Sequence, residues 1–189
     1  MKQYLLLIKH SLPTLEPALP AAEWLLSEEG RQCCESLAQQ VAAYSPEVVI
    51  CSQEPKASET GRLLAKQLSL PWAVAPNLHE HERPTPGLAA RDVFESAVES
   101  LFARPKELVF GAESAQQAQE RFTKAVEAVL TNYPAKNLAI VAHGTVISLF
   151  VAQKTGMDAF SFWKTLGLPS VVVFSLLGFK LEKVIENVS

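Results

Sequence analysis

Two histidines, two lysines and a carboxylate stand where predicted strands end. They belong to four short polar groups: Lys9-His10-Ser11, the stretch Ser52 to Thr60 that contains Lys56, Leu78-His79-Glu80, and His143-Gly144-Thr145. Imidazole, ammonium and helix N-terminal amide groups bind anions, and a carboxylate can carry protons to and from a reacting group. One histidine after a strand is more often structural than catalytic. Four such groups in one chain favour a phosphate-binding site.

These groups can act together only if the strands that precede them lie side by side. Short apolar runs alternate with longer amphipathic stretches, which predicts a single-domain three-layer α/β/α fold over residues 1–189 with a mainly parallel central sheet. Sheets of this kind bind ligands at the carboxyl ends of their strands. The predicted strands are Tyr4 to Ile8, Glu47 to Cys51, Trp72 to Val74, Asn137 to Ala142, Ser170 to Leu176 and, after a turn at Leu177-Gly178, Phe179 to Ile185.

Amphipathic stretches between the strands predict five helices. The clearest start is Ser27, a capping residue followed by two glutamates, in a stretch that reaches Val41. The others are predicted at Pro55 to Ser69, Leu88 to Ala103, Ser114 to Tyr133 and Thr145 to Lys154. The segment Pro76 to Gly87 is predicted to be a loop, because it contains three prolines beside five consecutive ionisable residues.

The composition excludes several classes of function. A net charge of −3 with scattered cations provides no basic surface for nucleic acid. No apolar run approaches the roughly 20 residues needed to span a membrane, and the apolar start of the chain is interpreted as a buried strand rather than a signal peptide. Cys33, Cys34 and Cys51 form no disulfide or zinc pattern and suggest a reducing, cytoplasmic setting. The oligomeric state cannot be predicted from these features.

The four polar groups resemble motifs of the histidine phosphatase superfamily, which includes the cofactor-dependent phosphoglycerate mutases. Ile8-Lys9-His10-Ser11 resembles its Arg-His-Gly signature, and Val141 to Ile147 resembles its second signature. Cys51 to Thr60 is similar to the stretch that usually carries a second phosphate-binding arginine, and Leu78-His79-Glu80 to the Leu-x-Glu acid motif. Gly111 to Ser114 resembles the Gly-Glu-Ser start of a helix. The matches follow the family order from Tyr4 to about Val173, which implies a phosphoglycerate mutase-like fold.

The resemblance implies a role for each candidate residue. His10 is the nucleophile that is transiently phosphorylated, and Glu80 is the acid that protonates the leaving group and then the base for water. His143 completes the catalytic set. The phosphate is expected to contact Lys9, Ser11, Lys56 and Gly144, and Arg83 is expected at the other end of the substrate. His81 and Glu82 are the local alternatives to Glu80, and neither a metal nor a cofactor is implied.

Three departures from the family pattern leave several functions open. Lysine stands at positions 9 and 56 where the family usually has arginine, and an ammonium cannot grip two phosphate oxygens as a guanidinium does. Ser11 replaces the usual glycine. The leading hypothesis is a histidine acid phosphatase-type enzyme that hydrolyses a phosphomonoester, with a small phosphorylated metabolite or a phosphoprotein as substrate. The alternatives are a phosphoglycerate mutase-type phosphotransferase, a degenerate member that binds phosphate without catalysis and, least favoured, a metal enzyme using His10, His79, His81 and His143.

Overall fold

The computed structural model describes residues 2–83 and 90–188, and its framework is a six-stranded mixed sheet. The strands are β1 (Tyr4–Lys9), β2 (Val48–Cys51), β3 (Trp72–Val74), β4 (Leu138–Ala142), β5 (Ser170–Ser175) and β6 (Lys180–Ile185). Their spatial order is β3-β2-β4-β1-β5-β6. All six predicted strands are therefore present, with ends that differ from the prediction by one residue at most.

The strands that carry the polar groups run in one direction. β1 pairs with β4 in parallel, and β2 pairs in parallel with both β4 and β3. β5 pairs antiparallel with β1, and β6 returns beside β5 as a hairpin. The prediction of a mainly parallel α/β sheet is confirmed, and the last two strands in the spatial order, β5 and β6, are paired antiparallel. The carboxyl ends of β1, β2 and β4 consequently meet at one edge of the sheet.

Within residues 2–83 and 90–188, six α-helices pack on the two faces of the sheet. They are α1 (Glu28–Ala42), α2 (Pro55–Leu68), α3 (Arg91–Ala103), α4 (Ala115–Asn132), α5 (Gly144–Thr155) and α6 (Ala159–Thr165), with a short 3₁₀ helix at Ala21–Glu23. Leu37 of α1 and Leu64 of α2 belong to the core on one face, and Phe122 of α4 and Phe150 of α5 to the core on the other. The two cores produce the predicted three layers.

Side-chain caps mark the starts of α1, α4 and α6. The Ser27 side chain accepts a hydrogen bond from the Gly30 amide, and Ser114 forms a capping box with Gln117. Asp158 caps α6 in the same way. The sequence prediction missed α6 because its seven residues are too few for a periodic pattern to emerge. The predicted helix Leu88 to Ala103 begins at Arg91 in the structure, and residues 84–89 lie outside the described residues.

None of the helices in the described ranges is both long enough and apolar enough to cross a membrane.

Candidate active site

The loops after β1, β2 and β4 are joined by backbone hydrogen bonds. The His10 amide donates to the Ala142 carbonyl at 3.0 Å, and the Ser52 amide donates to the Val141 carbonyl at 2.9 Å. The rings of His10 and His143 thereby come within 5.2 Å, centroid to centroid. A cleft of about 860 Å³ opens beside them and is lined in part by Lys9, His10 and Lys56. The structure therefore brings together the two histidines that the sequence placed at separate strand ends.

His10 is held in a single tautomer. Its Nδ1 lies 2.8 Å from the Ser11 carbonyl oxygen, which can only accept, so Nδ1 carries the proton and Nε2 retains its lone pair. Burial, followed by the nearby His143 and Lys56, holds the pKa of His10 well below its usual value. The imidazole is therefore neutral at neutral pH and can act as a nucleophile through Nε2.

His143 is completely buried at the N-cap of α5. Its Nε2 bonds to the Ser52 hydroxyl at 2.9 Å and lies 3.6 Å from the Glu54 carboxylate. Its Nδ1 has no hydrogen-bond partner within the described residues. Burial, and after it the charge of Lys56, lowers the pKa of His143 well below the usual value. Gly144 is the first residue of α5 and lines the cleft. The amide groups of the first turn of α5 therefore lie beside the cleft.

Lys56 has a carboxylate partner that the sequence prediction did not include. Its ammonium contacts the Glu54 carboxylate and donates to the Ala21 carbonyl at 2.6 Å. The other Glu54 oxygen accepts the Glu80 amide at 2.7 Å. Both side chains are almost fully buried, so their opposite charges largely cancel inside the phosphate-binding region.

Lys9 lines the cleft, and no carboxylate of the described residues is in contact with its ammonium. Its ammonium donates to the Leu166 carbonyl at 2.7 Å, just beyond α6. Burial lowers the pKa of Lys9 to about 8, although Glu80 opposes the shift. A Cβ atom on Gly144 would stand 3.2 Å from the Lys9 Cε, so a glycine lets this side chain pass close to the start of α5.

Glu80 faces the same helix start. Its carboxylate accepts the amides of Thr145 at 3.1 Å and Val146 at 3.3 Å, and lies 3.4 Å from the Arg83 guanidinium. Burial alone would raise the pKa of Glu80, but Arg83, His143 and the backbone amides lower it to about 2. Without substrate, Glu80 is therefore ionised at neutral pH.

Arg83 is fixed between two aromatic rings. Its guanidinium carbon lies 4.9 Å from the Phe94 ring centroid and 5.6 Å from that of Phe110. It also donates to the Thr145 hydroxyl at 3.3 Å. Arg83 thus lines the cleft and is paired with Glu80, and its contact with the far end of the substrate stays a prediction.

Ser11 does not face the cleft. Its hydroxyl donates to the Gly30 carbonyl at 2.7 Å, its amide donates to the Thr60 hydroxyl at 3.0 Å, and the residue has no exposed surface. The predicted phosphate contact from the Ser11 side chain therefore has no support in this geometry. Instead, the serine links the nucleophile loop to α1, where a Cβ atom on Gly30 would stand 2.1 Å from the Leu12 carbonyl oxygen.

His81 and Glu82, the alternatives to Glu80, form contacts with other residues. The His81 ring is almost fully buried, and its Nε2 donates to the Glu113 carbonyl at 2.7 Å. The Glu82 carboxylate is half exposed and contacts His79 at 3.3 Å. Across the described residues, histidine, cysteine and carboxylate side chains form no cluster of three that could hold a metal ion.

A clamp from α4 holds the acid loop, defined here as residues 77–83. The Arg121 guanidinium donates to the carbonyls of Asn77, His79 and Glu80 at 3.0, 3.0 and 3.1 Å. Glu113 pairs with Arg121 at 2.5 Å and accepts the Glu82 amide at 3.1 Å. The sequence prediction gave Arg121 no role. A signal was available, because Arg121 follows the glutamate of the Gly-Glu-Ser-like motif by eight residues, about two helical turns.

Known proteins resemble this chain in sequence and in fold. A family model described as the histidine phosphatase superfamily (branch 1) matches residues 21–183. The chain belongs to the histidine phosphatase superfamily. The match begins after the His10 signature, so the role of His10 as the nucleophile stays a prediction that rests on the geometry and the motif. A search of curated proteins found no significant match.

Solved structures share the histidine phosphatase fold with this chain at low sequence identity. YhfR of Bacillus stearothermophilus superposes with a TM-score of 0.78 at 19% identity, covering 99% of this chain and 98% of that one. A mutant phosphoserine phosphatase from Entamoeba histolytica gives 0.75 at 14% identity, with 97% and 96% coverage. The mycobacterial glucosyl-3-phosphoglycerate phosphatase gives 0.71 at 19% identity, with 93% and 91% coverage.

Proposed function

We propose that the protein is a phosphatase that hydrolyses a phosphomonoester through a phosphohistidine on His10. The observation that carries the proposal is the hydrogen bond from His10 Nδ1 to the Ser11 carbonyl, because it leaves Nε2 unprotonated at the cleft. The family supports phosphoryl transfer in general. The phosphatase names of the Entamoeba and mycobacterial structures favour hydrolysis over other transfers.

In the first step, His10 Nε2 attacks phosphorus, the N–P bond forms, and the bond to the ester oxygen breaks. The negative charge on the transferred phosphoryl oxygens is stabilised by Lys9, the Gly144 amide at the start of α5 and His143. The leaving alkoxide takes a proton from Glu80. In the second step, water attacks phosphorus, its proton returns to Glu80, and inorganic phosphate leaves neutral His10 behind.

Glu80 must gain a proton before it can act as an acid. Its pKa of about 2 applies to the empty cleft, where Arg83 and the amides of α5 stabilise the carboxylate. A phosphate dianion beside Glu80 raises that pKa by repulsion. Substrate binding therefore prepares the acid, and the carboxylate form returns when phosphate leaves.

A non-catalytic phosphate-binding protein is the second candidate. The contact between Lys56 and Glu54 favours it, because this pair removes most of the net charge from one of the two expected phosphate-binding cations. In such a protein, His10 would bind phosphate but would never be phosphorylated.

Trapping the intermediate tests the proposal. Quenching with alkaline denaturant during turnover of phosphoserine or an aryl phosphate should trap an alkali-stable, acid-labile phosphohistidine that mass spectrometry locates at His10. His10→Ala should lose the label and lower kcat roughly a thousandfold or more, whereas His79→Ala, which alters a partly exposed histidine of the acid loop, should retain the label. Equal turnover by wild type and His10→Ala would refute the proposal, and phosphate binding without any label would favour the second candidate.

A further inference from the structure

The cleft beside the phosphate-binding residues has a largely apolar wall. Two tryptophans, a phenylalanine and three leucines contribute to it: Leu12, Leu15, Trp24, Phe94, Trp163 and Leu168. Leu15 is 54% exposed, so an occupant of the cleft would remove apolar surface from water there. Contact of this wall with an apolar alcohol group of a substrate is favoured over its contact with water.

The apolar wall is continuous with the phosphate-binding region. The Trp163 Nε1 atom lies 3.3 Å from the position that a Cβ on Gly144 would take. The Phe94 ring packs 6.0 Å from the Trp163 ring and covers Arg83 from one side. A phosphate at the start of α5 would therefore place its ester group directly against aromatic rings.

The charges on the cleft wall disfavour a second anionic group. Among the described lining residues, Lys56 is paired with Glu54, and Arg83 with Glu80. His79 is within 3.3 Å of Glu82. Lys9 contacts no carboxylate in the part of the chain that the structure describes, but it is expected to bind the phosphate itself. Glu23, which also lines the cleft, adds the negative charge of its carboxylate.

We propose that the preferred substrate is a small phosphomonoester whose alcohol carries an aromatic ring or a similarly bulky apolar group and no further negative charge. This inference rests on the proposed phosphatase function and specifies its substrate class. The cleft volume of about 860 Å³ lies in the range of small-molecule sites, about 300–1,000 Å³, which favours a metabolite-sized ester over a phosphoprotein.

A matched series of esters tests the substrate class. Ethyl phosphate, phenylethyl phosphate and phosphoglycerate all have alkoxide leaving groups, so differences in kcat/KM report mainly the group that occupies the cleft. Phenylethyl phosphate should exceed ethyl phosphate by roughly tenfold or more, since a buried ring contributes its apolar area. Phosphoglycerate should fall below phenylethyl phosphate by at least as much.

Two leucines of similar exposure provide a matched pair of variants. Leu15 lines the cleft, whereas Leu25, which is 51% exposed, does not belong to its lining. Leu15→Ser should reduce the ratio of phenylethyl to ethyl phosphate roughly threefold, and Leu25→Ser should leave that ratio unchanged. Leu15→Lys should raise kcat/KM for phosphoglycerate several-fold, because it adds a cation to the cleft lining.

The outcomes separate this inference from the function on which it rests. If no ester is hydrolysed faster by wild type than by His10→Ala, the proposed phosphatase function fails. If all three esters are hydrolysed at similar kcat/KM, or phosphoglycerate is preferred, the function stands and the substrate class is wrong. A phosphopeptide hydrolysed tenfold better than phenylethyl phosphate would also overturn it.

Discussion

Two regions face each other across the cleft but are held in different ways: the acid loop, and the nucleophile edge, defined here as the ends of β1, β2 and β4 with His10 and His143. At the nucleophile edge, the main chains of β1, β2 and β4 position His10 and His143 through ladder hydrogen bonds. The acid loop is instead held by two side chains that are remote in the sequence, Arg121 of α4 and Glu113 just before α4. One edge therefore depends on the fold as a whole, and the other depends on a few ionic contacts.

This difference predicts which substitutions should impair proton transfer without disturbing the nucleophile. A substitution in the acid loop or its clamp should alter proton transfer while leaving the sheet and His10 intact. Its effect should then depend on the leaving group, because an aryl oxide leaves readily without an acid and an alkoxide does not. Leaving-group dependence is thus the measurement that distinguishes the two regions.

The largest effect is expected from Glu80→Gln. The glutamine retains an oxygen for the amides of α5 but has no proton to exchange, so kcat/KM for ethyl phosphate should fall by about 10²–10⁴-fold. For nitrophenyl phosphate the loss should be at least tenfold smaller. Steady-state kinetics with the two esters measures both values. Equal losses would mean that Glu80 acts through structure and not as an acid.

Loss of Arg121 should have the next largest effect. Arg121→Lys keeps the charge near Glu113 but cannot reach three carbonyls of the acid loop at once, so Glu80 is held less precisely. We expect kcat/KM for ethyl phosphate to fall roughly tenfold to a hundredfold, with a smaller loss for nitrophenyl phosphate. Arg104→Lys, on an exposed pair with Glu107, should behave as wild type. A loss that is the same for both esters would contradict a positioning role.

The same contrast explains what could be predicted from the sequence. The strands and the histidines at their ends were predictable because continuous apolar runs and the residues after them are local signals. Ser11 was misplaced, since the direction of its hydroxyl is decided by the close packing of Gly30 against Leu12. Arg121 and Glu54 were missed because both form hydrogen bonds with Glu80, which is remote from them in the chain. Hydrophobic periodicity carries no information about such contacts.

A smaller effect, of opposite sign, is expected from Glu54→Gln. Removing this buried carboxylate frees the charge of Lys56 and reduces repulsion of a phosphate dianion, while the amide oxygen can still accept the Glu80 amide. The inhibition constant of inorganic phosphate should fall several-fold. Glu59→Gln removes a carboxylate of α2 that pairs with Arg31 outside the cleft and should leave that constant unchanged. Weaker phosphate binding in Glu54→Gln would mean that Glu54 is needed to orient Lys56.

The smallest effect is expected from Lys9→Arg, and it should be a change in pH dependence. Because the pKa of Lys9 is lowered to about 8, the ammonium is charged at neutral pH and loses its proton above that value. In wild type, kcat/KM should therefore decline on the alkaline side with an apparent pKa near 8.

Arginine stays protonated throughout this range, so Lys9→Arg should shift that decline to higher pH while changing the rate at neutral pH by less than about fivefold. Lys164→Arg, on an exposed lysine of α6, should keep the wild-type profile. An unchanged alkaline limb in Lys9→Arg would assign the titration to another group. A shifted limb would mean that the nucleophile edge, although fixed by its main chain, still takes part of its phosphate affinity from one titratable side chain.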